Sequence, residues 1–359
     1  MDSLTQIALG SAVGYAVLGS KVGRKAALYG AILGTVPDLD VFINFGGPVE
    51  NFTFHRSFSH SLLVQLFVSP LIAWLLCKLH PQTQNHKVGW FLLVFLTLST
   101  HAILDSFTVY GTQLLWPLMD YPFGISSLFI IDPLYTLPLV VGLLAFLVPK
   151  LQPNVLKSIN HSALILSSIY AAWSLGAKWY IDNKVEQALA NSNITVGVME
   201  STPAPLSTLL WRVVVVNDTE YFEIFTSVFD DVDEVSIDSY PTNPSLLVPL
   251  ENEWGIKRLK WFTKGLYSVR EQDGRITLTD LRMGLEDAYV FAFEVGKRNA
   301  DEWVAADYTQ LTNRPNLSEA SLLWDRIWDP AISLTPQARQ AAIRHEQTPL
   351  GQTSETSAQ

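Results

Sequence analysis

The 359-residue sequence has little cysteine and, in its first half, little charge. Cys77 is the only cysteine and lies inside an apolar run, so a disulfide within the chain and a metal site built from thiolates are excluded. Residues 1–177 contain 8 Lys or Arg and 7 Asp or Glu, whereas residues 178–359 contain 16 and 27. No stretch is basic enough for a nucleic-acid surface, so direct binding of nucleic acid is not expected.

Long uncharged runs fill the first half instead. They span residues 61–77, 88–104 (interrupted only by His101), 133–149 and 158–177. Each is near the ~20 residues that a helix needs to cross hydrocarbon. Two more runs, 3–20 and 26–37, are rich in glycine and alanine and either cross the membrane or form a buried helical hairpin. The sequence therefore predicts an α-helical integral membrane domain of four to six apolar helices over residues 1–182, with no signal peptide.

Positive charge in three short loops predicts the orientation of this membrane domain. The loops carry Lys21, Arg24, Lys25, Lys78, Lys87, Lys150 and Lys157. They share one side if the chain crosses at every run, and Lys and Arg are enriched in cytoplasmic loops. The pattern predicts a multi-pass protein with its C-terminal half on the side opposite the cytoplasm, which in a Gram-negative cell is the periplasm.

Alternation of apolar and polar residues replaces continuous apolarity after about residue 185. Strands are predicted at 211–216, 220–229, 234–240 and 289–295, a hairpin at 266–282 and helices at 244–263 and 318–328. This pattern predicts a soluble α+β domain over residues 185–345 and a disordered tail, rich in Gln, Thr and Ser, at 346–359. Asp280 and Arg282 form either a surface ion pair or a substrate contact.

Ionisable residues of the first half stand at the ends of its apolar runs. They are Asp2, Asp38, Asp40, His55, His60, His101, Asp105 and Asp132. Counting helix crossings puts all of them at one membrane face, although they come from separate parts of the chain. One such carboxylate alone usually caps a helix, but charges near hydrocarbon are costly and tend to be paired or to hold ions. His and Asp together favour a divalent metal, with zinc expected first and manganese or iron as alternatives.

Three stretches carry a family resemblance: PDLD at 37–40, HRSFSHSLL at 55–63 and HAILDSFTVYGTQLLWP at 101–117. Together they resemble the membrane-bound, metal-dependent hydrolase family, also described as LexA-binding, inner-membrane-associated hydrolases (YdjM-like). The resemblance implies a metal-dependent hydrolase of the inner membrane. By motif position, it implies as ligands or catalytic groups Asp38, Asp40, His55, His60, His101 and Asp105. The opening MDSLTQIALG resembles the family's start, but Gln6 stands where a histidine often follows the threonine.

Three functions fit this pattern. In a hydrolase, a metal lowers the pKa of a bound water and polarises the scissile bond, with Asp38, Asp40 or Asp105 as ligand or general base. In a metal-ion transporter the same residues form a transit site, although such sites usually lie near the membrane midplane. A regulatory protein that binds LexA, as the family name implies, needs a cytoplasmic surface, and the predicted topology leaves only short loops there.

We prefer the hydrolase hypothesis, and Arg56 indicates its class of substrate. A guanidinium pairs well with phosphate, so Arg56 is predicted to assist catalysis on a phosphoester of a lipid-like substrate whose tail stays in the bilayer. The alternative is that Arg56 extends its charge to lipid headgroups.

Overall fold

The computed structural model of the chain describes residues 1–300, 302–311 and 320–347. A helical region comes first, and an antiparallel sheet region follows it. The helices of the first region are α1 (Ser3–Val22), α2 (Arg24–Leu33), α3 (Pro48–Phe54), α4 (Leu62–Leu79), α5 (Lys87–Asp105), α6 (Pro133–Leu147) and α7 (Pro153–Asn191). Residues 348–359, which make up most of the predicted tail, lie outside the described residues.

Helices α1 and α2 form a tight hairpin that the glycines of both helices make possible. A Cβ atom built on Gly10 would overlap the carbonyl oxygen of Gly30, and one on Gly34 would lie 2.5 Å from the carbonyl oxygen of Gln6. Only residues without a side chain permit so close an approach of two backbones. The hairpin therefore brings the end of α2, and the PDLD sequence after it, beside the first turns of α1.

Two segments among the described residues have the length and apolarity to cross a membrane. They are Leu62–Leu79 and Pro81–Asp105, the second being α5 extended by a 3-10 turn. Helix α6 is also apolar but has only 15 residues. Large apolar side chains such as Phe67 (78% exposed) and Val88 (70% exposed) face outward from these helices. Such a surface suits lipid better than water.

Two four-stranded antiparallel sheets form the second region. The first sheet has the order β1 (Val198–Pro203), β2 (Leu210–Val216), β3 (Glu220–Ser227) and β4 (Ser236–Pro241). The second has the order β5 (Tyr267–Gln272), β6 (Arg275–Asp280), β7 (Ala292–Asn299) and β8 (Glu302–Leu311). Helices α8 (Trp254–Phe262), α9 (Ala320–Arg326) and α10 (Pro336–Gln347) accompany them. The sheets are antiparallel throughout, which refines the predicted α+β domain.

The predicted helix at 244–263 is divided in the structure. Residues Pro244–Leu250 form a 3-10 helix, and α8 begins only at Trp254. Pro249 lacks a backbone N–H and so cannot donate the hydrogen bond that an α-helix would require at its position.

The sheet region packs directly on the loops of the helical region. Phe52 of α3 inserts into the core of the second sheet, with ring centroids 4.8 Å from Phe262 and 5.2 Å from Phe293. Arg282 donates a hydrogen bond of 3.1 Å to the carbonyl oxygen of Tyr110. The expectation that Asp280 and Arg282 form a surface pair was wrong, because both are buried at this contact, where their side chains lie 2.7 Å apart.

Candidate metal centre

Four of the predicted residues meet in one place: Asp38, His60, His101 and Asp105. One ligand atom from each lies within 4.8 Å of the others. His60 Nε2 is 3.1 Å from both His101 Nε2 and Asp105 Oδ2. Asp38 Oδ1 is 3.6 Å from His60 Nε2 and 3.4 Å from His101 Nε2. The side chain of Asp38 is 25% exposed, whereas the other three are buried, so solvent reaches the cluster from the Asp38 side.

Each ligand sits at the end of an element. Asp38 lies in a 3-10 turn (Pro37–Phe42) that follows α2, and His60 ends a second 3-10 turn (Phe58–His60) just before α4. His101 and Asp105 lie one turn apart at the end of α5, and the spacing of four puts both on one helical face. The convergence predicted by counting helices is thus present for these four residues.

Hydrogen bonds outside the cluster fix the tautomers of both histidines. His101 Nδ1 lies 2.7 Å from the carbonyl oxygen of Gly34, which can only accept, so this nitrogen carries the proton. Ser59 donates its single hydroxyl proton to Asp40 Oδ2 at 2.6 Å, so it must accept from His60 Nδ1 at 2.8 Å. When both rings are neutral, both Nε2 lone pairs therefore point into the cluster, as in metal-ligating histidines.

With both rings neutral, the centre of the cluster is a set of acceptors that face one another. Buried acceptors without a donor between them are costly, and a cation removes that cost. A tetrahedral zinc ion with bonds of 2.0–2.1 Å needs ligand atoms about 3.3 Å apart. The measured separations between the histidine nitrogens and the carboxylate oxygens run from 3.1 to 3.6 Å. The donor set and its spacing fit a divalent transition metal.

Asp105 is held from three sides by groups that the sequence analysis did not place beside it. Its Oδ1 accepts hydrogen bonds from the amino group of Met1 and, at 2.9 Å, from Gln6 Nε2. Its Oδ2 lies 3.1 Å from Arg56 Nε. Gln6 thus orients the Asp105 carboxylate, and the positive charge of Arg56 offsets the negative charge of Asp105.

Asp40 and His55 form a separate pair beside the cluster. Asp40 Oδ1 lies 2.8 Å from His55 Nδ1, while its Oδ2 accepts from the backbone N–H of Arg56 at 2.9 Å and from Ser59. Burial by itself raises the pKa of Asp40, but the hydrogen bonds and charge of His55 outweigh it and hold this pKa below the ordinary value. Asp40 thereby holds the HRSFSH loop, in which Arg56 adopts a φ of 60°.

Arg56 points inward and not toward the lipid surface. Its residue is only 6% exposed, its Nη1 donates to Thr108 Oγ1 at 3.2 Å and its guanidinium lies 5.3 Å from the centre of the Tyr110 ring. This burial leaves no room for the alternative that Arg56 extends to headgroups.

Two other predicted carboxylates have the ordinary structural role. Asp2 accepts from the backbone N–H groups of Leu4 and Thr5 and caps α1, and Asp132 caps α6 in the same way. Neither belongs to the four-residue cluster.

Comparison with known proteins gives two matches. The YdjM inner membrane protein family matches residues 1–185, which include all four residues of the cluster. The uncharacterized protein YfhP of Bacillus subtilis (strain 168) is 31% identical over 125 residues, which are 33% of this chain and 37% of that protein. The chain thus spans little more than a third of the length of this relative. No solved structure matches the chain.

Proposed function

Since the chain belongs to the YdjM inner membrane protein family, we propose that it is a metal-dependent hydrolase acting at the membrane interface. The observation that carries the proposal is the cluster of Asp38, His60, His101 and Asp105, in which two imidazole lone pairs and two carboxylates face one point. A bound ion, with zinc expected first and manganese or iron as alternatives, would lower the pKa of a water and polarise the scissile bond.

A cleft beside the cluster offers room for a substrate. It has a volume of about 350 Å³ and is lined by Asp40, His55, Tyr110 and apolar side chains that include Phe45, Phe52 and Phe291. A lining that combines polar groups with aromatic rings suits an amphiphilic molecule. The side chain of His55 is 23% exposed and lines the cleft, and Asp40 orients its ring. This arrangement supports a role in proton transfer for the pair.

The proposed substrate is a phosphoester with a lipid-like tail. Arg56 contributes a buried positive charge next to the ligand Asp105, and Asp38 is the exposed carboxylate at the entrance of the cluster. We assign Arg56 to stabilise negative charge on the substrate, and Asp38 and Asp105 to ligate the metal, with Asp38 the better placed of the two to exchange a proton with water.

We also propose the membrane topology. Four to six of the apolar helices cross the inner membrane, the loops rich in lysine and arginine face the cytoplasm, and the sheet region lies in the periplasm. A reporter fused after residue 182 should then behave as periplasmic, and one placed within residues 79–87 as cytoplasmic. A cytoplasmic sheet region would overturn this topology and favour the LexA-binding function.

The proposed hydrolase can be tested with detergent-purified protein on lipid-linked phosphates and on soluble phosphoesters, each with and without a chelator. We expect turnover of the lipid-linked substrate that a chelator removes and added metal restores. Arg56→Lys should keep the bound metal and lower turnover, because an ammonium replaces the fork of the guanidinium. Metal bound without turnover of any phosphoester would favour a transporter, and activity insensitive to chelator would contradict the proposal.

A further inference from the structure

A second cavity lies apart from the metal cluster, between the sheet region and the loop that precedes α6. Its volume is about 200 Å³. Its walls are formed by residues 128–130 on one side, by Pro203, Ala204 and Pro205 on another, and by residues 283–285 on a third. Apolar cavities of about 150 Å³ already take up small hydrocarbons in proteins, so this one is large enough to hold a ligand.

The polar groups in the cavity wall are already paired, which restricts the class of ligand. Arg282 bonds to Asp280 at 2.7 Å, and Arg212 bonds to Glu223 and to the carbonyl oxygen of Leu281. An anion entering the cavity would therefore meet guanidinium groups that carboxylates already neutralise. An uncharged chain would lose nothing by leaving water, since the remaining wall is almost wholly carbon.

The cavity also lies where the apolar helices begin. The carbonyl oxygen of Ile130 accepts from the backbone N–H of Asp2 at the start of α1, and Asp132 caps α6 two residues further on. Next to the cavity walls, Ile131 (52% exposed) and Leu206 (49% exposed) present apolar side chains to the outside. A cavity at this level of a membrane protein is within reach of chains that leave the bilayer.

We propose that this cavity binds a hydrocarbon chain of an amphiphile. The inference goes beyond the hydrolase function and requires only that α1 and α6 begin at the membrane surface. It also gives the cavity a link to the cleft, because Arg282 lines the cavity and donates to the carbonyl oxygen of Tyr110, which lines the cleft.

The test uses two photoreactive probes on the full chain in detergent. One is a free fatty acid with a diazirine in mid-chain, and the other is a phosphatidylglycerol that carries the same acyl chain. We expect crosslinks to peptides containing residues 128–130 and 283–285. Labelling by the fatty acid alone would identify a single-chain amphiphile as the source, and labelling by the phospholipid would identify a bilayer lipid.

Two variants at one position provide the matched control. Ala204→Leu fills the cavity and should lower crosslinking by about tenfold, which corresponds to about 1.4 kcal/mol of binding free energy, whereas Ala204→Ser leaves it open and should change little. Leu285→Phe fills the space from another wall if Ala204→Leu does not fold. Equal labelling of filled and open variants, or no crosslink to the cavity peptides from either probe, would overturn the proposal. Because the readout is a crosslink and not turnover, the cavity proposal can fail while the hydrolase proposal holds, and the reverse.

Discussion

Two buried groups of charged side chains in this molecule are built in opposite ways. In the sheet region, Glu223 Oε1 accepts from Arg212 Nε at 3.2 Å and from the Tyr289 hydroxyl at 2.5 Å, while its Oε2 accepts from the backbone N–H of Glu286. In the metal centre, the Nε2 atoms of His60 and His101 lie 3.1 Å apart with two carboxylates around them.

The contrast separates a structural network from a ligand site. Around Glu223 every acceptor oxygen has a donor, so the network is complete without any further group. At the metal centre the outer groups use up the protons and lone pairs that face away from the centre: the Gly34 carbonyl and the Ser59 hydroxyl accept from His101 and His60, and Gln6 donates to Asp105. With both rings neutral, only acceptors then face the centre. Both places hold buried carboxylates and a buried arginine, so the direction of the hydrogen bonds is the feature that distinguishes them.

The largest expected effect is on bound metal. His60→Ala removes one of four ligands, and we expect its metal content, measured by elemental analysis, to fall to less than about a tenth of that of the unaltered protein. His80→Ala is the matched control. His80 Nε2 lies 2.8 Å from the Tyr29 hydroxyl, and His80 is not part of the cluster. Equal metal in the two variants would place the site elsewhere.

A second variant breaks the complete network. Glu223→Ala leaves Arg212 buried without its carboxylate, which should lower the free energy of unfolding of the sheet region by about 3–5 kcal/mol in chemical denaturation. Metal content should not change. Glu294→Ala is the control, since its partner Arg275 is 65% exposed and the pair is worth less than about 1 kcal/mol. Similar losses for both variants would mean that the Glu223 network stabilises the fold no more than an exposed ion pair does.

The smallest expected effect concerns the outer hydrogen bonds of the metal centre. Ser59→Ala removes the acceptor that fixes the tautomer of His60 and should weaken metal affinity by about 10- to 100-fold in competition with a chelator. Ser57→Ala, which loses only a bond to the carbonyl oxygen of Phe54, should leave affinity unchanged. An unchanged affinity in Ser59→Ala would mean that the tautomer is set by something else.

The sequence pointed to the four residues of the metal centre but not to the groups that hold them in place by hydrogen bonds. Counting helix crossings put eight ionisable residues at one membrane face, and the family resemblance named six of these as ligands or catalytic groups. Four of the six meet in the structure: Asp38, His60, His101 and Asp105. The separate pairing of Asp40 with His55 depends on the path of the HRSFSH loop, in which Arg56 has a positive φ, and no periodicity reports that path. The Gly34 carbonyl and the Met1 amino group belong to the backbone, so no residue type could mark them.

In the sheet region, too, some elements were predicted and others were missed. The strongly alternating or apolar strands β2, β3, β4, β5, β6 and β7 were all predicted to within a few residues. Strands β1 and β8 were missed because VMESTP and EWVAADYTQL mix polar and small residues and are only partly buried. Edge position is not the reason, because β4 and β5 also lie at the edges of their sheets and were predicted. The weak alternation of β1 and β8 explains why they were missed.

Helix α7 joins the helical region to the sheet region without interruption. Its 39 residues extend over about 58 Å, and Lys184 near its end donates to the carbonyl oxygens of Ser227 and Asp230 at 2.7 and 2.6 Å. A continuous helix transmits rotation, so one residue inserted after Ala177 would turn everything beyond it by about 100°. Phe52 and Arg282 would then lose their partners across the two regions. The number of residues in this helix therefore determines which face of the sheet region covers the cleft.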